Sequence, residues 1–288
     1  MENNVKKLQL FSHDQISEDA YVITENYDQG HRFTIGLIKG SERAMVIDAG
    51  LGMAGNLMAY VRSLIGEDLP VFAVFTHGHS DVLGGSAAFE KAYLSRLDQG
   101  KYPESTDFEQ RSKQMGFFSS QNPEITEYGK EYALDNSAQV FSDLEDGDHF
   151  ELGGACADII AVGGHTPGSV LVRVTLQDGR HVTFCGDAFS TGMNHFMSAT
   201  KQQLLEYGSK LGQVLASLDP EEDLYCTHGS MPVRPSLGMS IAQACLEVAE
   251  GKTDLDPMYM NPFARGKQQN LKTHYSRNNY IVYNADMV

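Results

Sequence analysis

Thr76-His77-Gly78-His79-Ser80-Asp81-Val82-Leu83-Gly84-Gly85 follows directly on the apolar run Val71-Phe72-Ala73-Val74-Phe75. That run has strand length and no polar interruption, the pattern of a strand buried on both faces. Two imidazoles two positions apart on an extended chain point to the same side. His77 and His79 can therefore close on one metal ion, with zinc–nitrogen bonds of about 2.0–2.1 Å. Gly78 lets the backbone turn closely between them, and Asp81, two residues further on, reaches the same cleft. A lone His-x-His is more simply a pair of loop histidines, so the weight rests on whether the pattern recurs.

It recurs three times. Gly163-Gly164-His165-Thr166-Pro167-Gly168-Ser169 holds a histidine on a tight turn between two strand-like runs. Cys185-Gly186-Asp187 ends a β-rich run in a carboxylate, and Thr227-His228-Gly229 follows another short run. Each is weak alone. All four place a His or Asp just past the end of an apolar strand, which is how loops on a rigid sheet edge build a metal site.

The surrounding periodicity supplies the scaffold. Tyr21–Thr24, Phe33–Ile38 and Ala44–Ile47 read as strands, and Leu57, Met58, Val61, Leu64 and Ile65 recur on one helical face ending at Gly66. Further on, Ala157–Val162 and Ser169–Val174 read as strands, and Asp178-Gly179 as a hairpin turn into His181–Cys185. Helices are expected over Leu204–Leu218 and Ile241–Val248, with a short strand at Leu224–Thr227 between them. Two batches of strands interleaved with helices predict a four-layer αββα sandwich, two mixed sheets face to face with helices outside. The 288 residues read as one domain. A polar stretch at about 91–136 reads as a partly helical insertion over the domain, its Met115, Phe117 and Phe118 able to wall a substrate. Residues 253–288 read as an extension whose Tyr280–Tyr283 forms an edge strand or meets a second copy in a homodimer.

Composition narrows the partners. A formal charge of −16 repels phosphate backbones and anionic lipid, so neither nucleic acid nor a membrane surface is an expected partner, and a small molecule is. The polar start, Met1 to Lys7, does not read as a signal peptide, which makes a cytoplasmic location the expectation. Cys156, Cys185, Cys226 and Cys245 form no C-x-x-C pair and read as reduced thiols.

In their order along the chain, these segments resemble the metallo-β-lactamase superfamily, above all its glyoxalase II-like and lactonase-like hydrolases. Val46-Ile47-Asp48-Ala49-Gly50 resembles the family's early strand-Asp turn, and Asp146 to Gly154 the segment before its third histidine. The likeness spans about Gln15 to Pro232. It implies a first metal site on His77, His79 and His165, a bridging Asp187, a second site on Asp81 and His228, and a loop-orienting role for Asp48. One position departs: the family carries a second-site histidine after the motif aspartate, and here that residue is Val82. A weaker second site is expected.

The resemblance implies hydrolysis of an ester, thioester, lactone, amide or phosphoester. An ion on the three histidines leaves a position for water and lowers its pKa to about 7. With the second ion absent, Asp81 is free to act as general base and His228 to move a proton or touch substrate. Zinc is expected, one ion or two, and iron or manganese suits the same ligands. The alternatives are a mononuclear non-haem iron dioxygenase acting on a thiol-derived substrate, through His77, His165 and Asp187, and a binding protein with a decayed site. His195, in the loop after Asp187, is a candidate substrate contact.

Overall fold

Residues 8–27, 31–120, 122–229, 231–261, 269–277 and 279–288 are described by the computed structural model. The first half of the chain gives β1 (Phe11–Ser17), β2 (Ala20–Asn26), β3 (Arg32–Lys39), β4 (Ala44–Ile47), α1 (Leu57–Ile65), β5 (Val71–Val74), α2 (Ser80–Leu83) and β6 (Ala92–Leu94). Four helices follow, α3 (Arg96–Gln99), α4 (Tyr102–Ser105), α5 (Phe108–Phe118) and α6 (Pro123–Tyr132), and then β7 (Ser142–Asp143). The second half gives β8 (His149–Glu151), β9 (Cys156–Ala161), β10 (Val170–Thr175), β11 (His181–Gly186), β12 (Asn194–Phe196), α7 (Lys201–Ala216), β13 (Asp223–Cys226), α8 (Pro235–Ala249), β14 (Leu271–Ser276) and β15 (Asn279–Asn284).

Strands β1 to β7 form one sheet in sequence order, and a second sheet runs β13-β11-β10-β9-β8. Both are mixed: β4, β5 and β6 run parallel, as do β11 and β13, while the hairpins are antiparallel. Met45, Ile47 and Val74 from the first sheet meet Val172, Val182 and Phe184 from the second in one buried layer. Gly36 on β3 makes room for the Phe184 ring of the second sheet, since a Cβ there would stand 2.6 Å from it. Outside the first sheet, α1 buries Leu57, Val61 and Ile65, and the Asn56 side chain caps it by accepting the Ala59 N–H at 2.9 Å. Outside the second, α7 packs on α8, with Leu204, Tyr207, Leu211 and Leu215 buried. The result is the expected αββα sandwich.

Three expectations need correction. Tyr280–Tyr283 is not at an edge: β15 is the middle strand of a third, small sheet ordered β12-β15-β14. The polar stretch from residue 91 opens with β6, a strand of the main sheet, so the helical excursion starts only after Leu94. Charged residues along it masked that short strand. The excursion is docked rather than merely solvated. Arg111 is fully buried, donating from Nε to Thr106 O at 2.9 Å and from Nη2 to Leu134 O at 2.6 Å. Its Nη1 donates to Gly84 O at 3.2 Å and Leu51 O at 3.3 Å. Met115 is likewise buried in the core, against Gly129, and so forms no wall for a substrate.

Candidate metal centre

Each implied ligand but Asp81, which sits in the first turn of α2, leaves the end of a strand. β5 delivers His77 and His79, the β9–β10 turn delivers His165, β11 delivers Asp187, and β13 delivers His228. Because β5 in one sheet and β11 and β13 in the other end at the same edge of the sandwich, their loops meet there.

They form two groups. Ligand atoms of His77, His79 and His165 lie within 4.8 Å of one another, and so do those of Asp81, Asp187 and His228. His165 Nε2 stands 2.8 Å from His79 Nδ1, and His228 Nε2 stands 2.8 Å from Asp81 Oδ2. Asp187 Oδ2 lies between the groups, 3.7 Å from His165 Nε2, 4.0 Å from His77 Nε2 and 3.5 Å from His228 Nε2. One carboxylate oxygen is thus within 4.0 Å of ring nitrogens from both groups.

Outer hydrogen bonds set which nitrogen is bare. His165 Nδ1 faces His195 O at 3.2 Å, and a carbonyl only accepts, so Nδ1 carries the proton and Nε2 keeps its lone pair. Thr76 Oγ1 donates to Asp48 at 2.8 Å and takes the His77 Nδ1–H at 3.3 Å, which again frees Nε2. Asp48 itself has φ of 64°, the left-handed region that a non-glycine residue rarely occupies. Its carboxylate also accepts the Thr76 N–H at 2.8 Å, which fixes the start of the histidine loop.

The donor set fits a divalent cation. His77 Nε2 and Asp187 Oδ1 are buried with no hydrogen-bond partner, a loss of about 1–3 kcal/mol for each group unless a ligand takes the lone pair. Burial, with His79 and His165 adjacent, pushes His77 down to about 3, so it is neutral and available as a ligand. His79 is lowered by burial and by His165. Burial opposes charge on Asp187, yet His228, through its charge and hydrogen bond, holds the carboxyl well below its ordinary value. Burial likewise opposes charge on His228, and Asp187 and Asp81 together overcome it and raise the imidazole well above its usual value.

Asp98 was missed by sequence reasoning. It is fully buried and ties the two histidine loops together, accepting Gly78 N–H at 2.9 Å, Thr166 Oγ1–H at 2.5 Å and Gly168 N–H at 3.0 Å. Gly78 and Gly168 are glycine because a Cβ at either would stand 2.8 or 2.7 Å from Asp98. The only signal in the sequence is a carboxylate four residues past the apolar end of β6.

His195 joins neither group. It sits on β12 with Nδ1 buried and unpaired, and burial pushes it down to about 4. Its backbone oxygen, not its ring, orients His165. Val82 is fully buried among the core residues behind α2. Cys185, Cys226 and Cys245 are buried free thiols, and His149 and His181 are exposed on their strands.

A family model described as the metallo-beta-lactamase superfamily matches residues 34–228. The chain belongs to that superfamily. As an enzyme it is a metallohydrolase of this fold, and membership of the superfamily implies a divalent metal. It is 26% identical over 196 residues to human acyl-coenzyme A thioesterase MBLAC2, covering 64% of this chain and 68% of that protein. It is 26% identical over 163 residues to a hydroxyacylglutathione hydrolase of Yersinia enterocolitica, covering 56% of this chain and 49% of the relative. Among solved structures it resembles a metallo-β-lactamase from Cronobacter sakazakii with a HARLDQ motif, at a TM-score of 0.58 and 15% identity over 87% of this chain and 97% of that one. It also resembles the metallo-β-lactamase FIM-1 from Pseudomonas aeruginosa in its mono-zinc form, at 0.58 and 15% over 84% and 98%. Among the described residues, no helix is long and apolar enough to cross a membrane.

Proposed function

We propose that this protein is a zinc-dependent thioesterase acting on a small acyl thioester. The carrying observation is the placement of Asp187 Oδ2 between a three-histidine group and an Asp–His group, beside the unpaired Nε2 of His77. The thioester class is supported by two sets of relatives, whose names give acyl-coenzyme A and hydroxyacylglutathione as substrates. His77, His79, His165 and Asp187 would hold the tighter ion, and Asp81, Asp187 and His228 a weaker one. A divalent ion there supplies Lewis acidity to the carbonyl and acidifies water.

The chain's own groups do the rest. With the weaker site empty, Asp81, oriented by His228 at 2.8 Å, would position the attacking water and accept its proton. Water oxygen bonds to the acyl carbon, the carbon–sulfur bond breaks, and a thiolate leaves with the bonding electron pair. A thiolate whose conjugate acid has a pKa of about 8.5 departs without a strong general acid, so an Asp–His pair is sufficient for this leaving group.

The test is thiol release from acyl thioesters by zinc-loaded protein, with lactone, phosphodiester and β-lactam substrates in parallel. Thioester turnover that falls at least about a hundredfold in Asp81→Ala supports the reading. Turnover confined to another substrate class overturns it. So does a protein that carries iron and consumes oxygen.

A further inference from the structure

An aromatic ladder starts at the metal centre and ends at the surface. The Phe33 ring lies 5.1 Å from the His228 ring, and the Phe118 ring lies 5.0 Å from Phe33, edge-on at 82°. Phe117 is 5.6 Å from Phe118, and His31 is 5.4 Å from both. Exposure rises along the series: Phe33 is buried, Phe118 half-buried and Phe117 42% exposed. The outer rungs belong to α5, where Phe118 shares the docked face with the buried Arg111 and Met115 and Phe117 turns away from it toward solvent. Phe33 thus joins the His228 ring to Phe118 through the core, and the accessible apolar surface beside the metal centre is that of Phe118 and Phe117.

We propose that this ladder is the acyl-binding wall, and that it makes the enzyme selective for thioesters with apolar acyl groups, medium-chain aliphatic or aromatic, over short hydroxylated ones. The inference rests on the thioesterase reading and deepens it. Ring edges and faces offer dispersion contact and no strong hydrogen-bond donors, so they suit the hydrocarbon end of the substrate rather than a polar thiol carrier. With the carbonyl at the metal centre beside His228, an acyl chain running outward meets Phe118 and then Phe117, while the buried Phe33 ring backs Phe118 from the core. Each methylene laid against the wall gains up to about fourfold in kcat/KM.

The experiment compares acetyl, hexanoyl and decanoyl thioesters in the zinc-loaded parent and in Phe117→Ala. Expected are a kcat/KM that climbs with chain length in the parent and a decanoyl-to-acetyl ratio about tenfold lower in the variant. A general structural defect would lower all three alike and leave the ratio unmoved, and that result overturns the wall. Calorimetric binding of the product carboxylate, decanoate, reads the wall without turnover. About tenfold weaker binding in the variant supports it, and equal affinity overturns it. Decanoate binding that is lost in the variant, in a protein that hydrolyses no thioester, upholds the wall and sinks the thioesterase reading instead.

Discussion

Asp98 Oδ2 accepts the Gly78 N–H at 2.9 Å from a side chain with no solvent exposure. The same carboxylate takes Thr166 Oγ1–H and Gly168 N–H, so one residue sets the spacing between the loop of His77 and His79 and the loop of His165. In Asp98→Asn one acceptor becomes a donor facing donors, and at least one of the three is stranded. A buried polar group without a partner costs about 1–3 kcal/mol, and loss of an outer-shell partner lowers metal affinity by about 10–100-fold. Chelator competition with zinc should show that drop. Unchanged zinc affinity in a folded variant would show that Asp98 holds the loops for stability alone.

Arg111 carries a second structural prediction. Its guanidinium serves four carbonyls, two of them, Leu51 O and Gly84 O, in loops beside the metal centre. Arg111→Met keeps much of the volume and strands the Leu51 and Thr106 carbonyls in a buried place, while Gly84 O keeps the Asn136 Nδ2–H at 2.9 Å. Urea denaturation should show a loss on the order of 3 kcal/mol. A variant as stable as the parent would mean that solvent reaches those carbonyls.

Glu25 gives stability a pH dependence away from the metal ligands. Burial raises its carboxyl from 4.5 to about 7, against hydrogen bonds from Tyr27 and the Leu51 N–H. The folded state therefore binds the proton more tightly than the unfolded chain. That contribution is fully present below about 4.5 and is lost as pH rises toward 7. The gap corresponds to about 3 kcal/mol. Thermal unfolding between pH 4.5 and 7.5 should show Tm falling with pH from this group, with a flatter profile in Glu25→Gln. Parallel profiles for the two proteins would remove Glu25 as the source.

The sandwich and the clustering of the ligand residues were legible because strands and chemistry coincide in the sequence. Each histidine or aspartate follows an apolar run, and β4 was bounded to the residue at Ala44–Ile47. What escaped notice had no periodicity. β6 is three residues long in a charged neighbourhood, and Asp98 acts through contacts 20 and 68 positions away in sequence. The placement of β15 between β12 and β14 depends on a parallel pairing across some 90 residues, which no local pattern encodes. Phe118 touches Phe33 on β3, and through it the His228 ring just past β13, contacts between residues so distant in sequence that no local pattern encodes them.

Val82 poses the last test. The residue after Asp81 is fully buried and packs in the cluster that holds Phe33 and Leu83, while Asp81 itself meets His228 at 2.8 Å and groups with Asp187. Three ligands should hold the second ion more weakly than four. Elemental analysis of protein purified without chelator should give about one ion per chain in the parent and a stoichiometry approaching two in Val82→His. The metal-free variant should unfold at a lower temperature, because an imidazole replaces a packed valine at a cost of about 1–3 kcal/mol. Two ions already present in the parent would mean that Asp81, Asp187 and His228 suffice. An unaltered count in a folded variant would mean that position 82 faces the core and that the new imidazole cannot turn toward the ion.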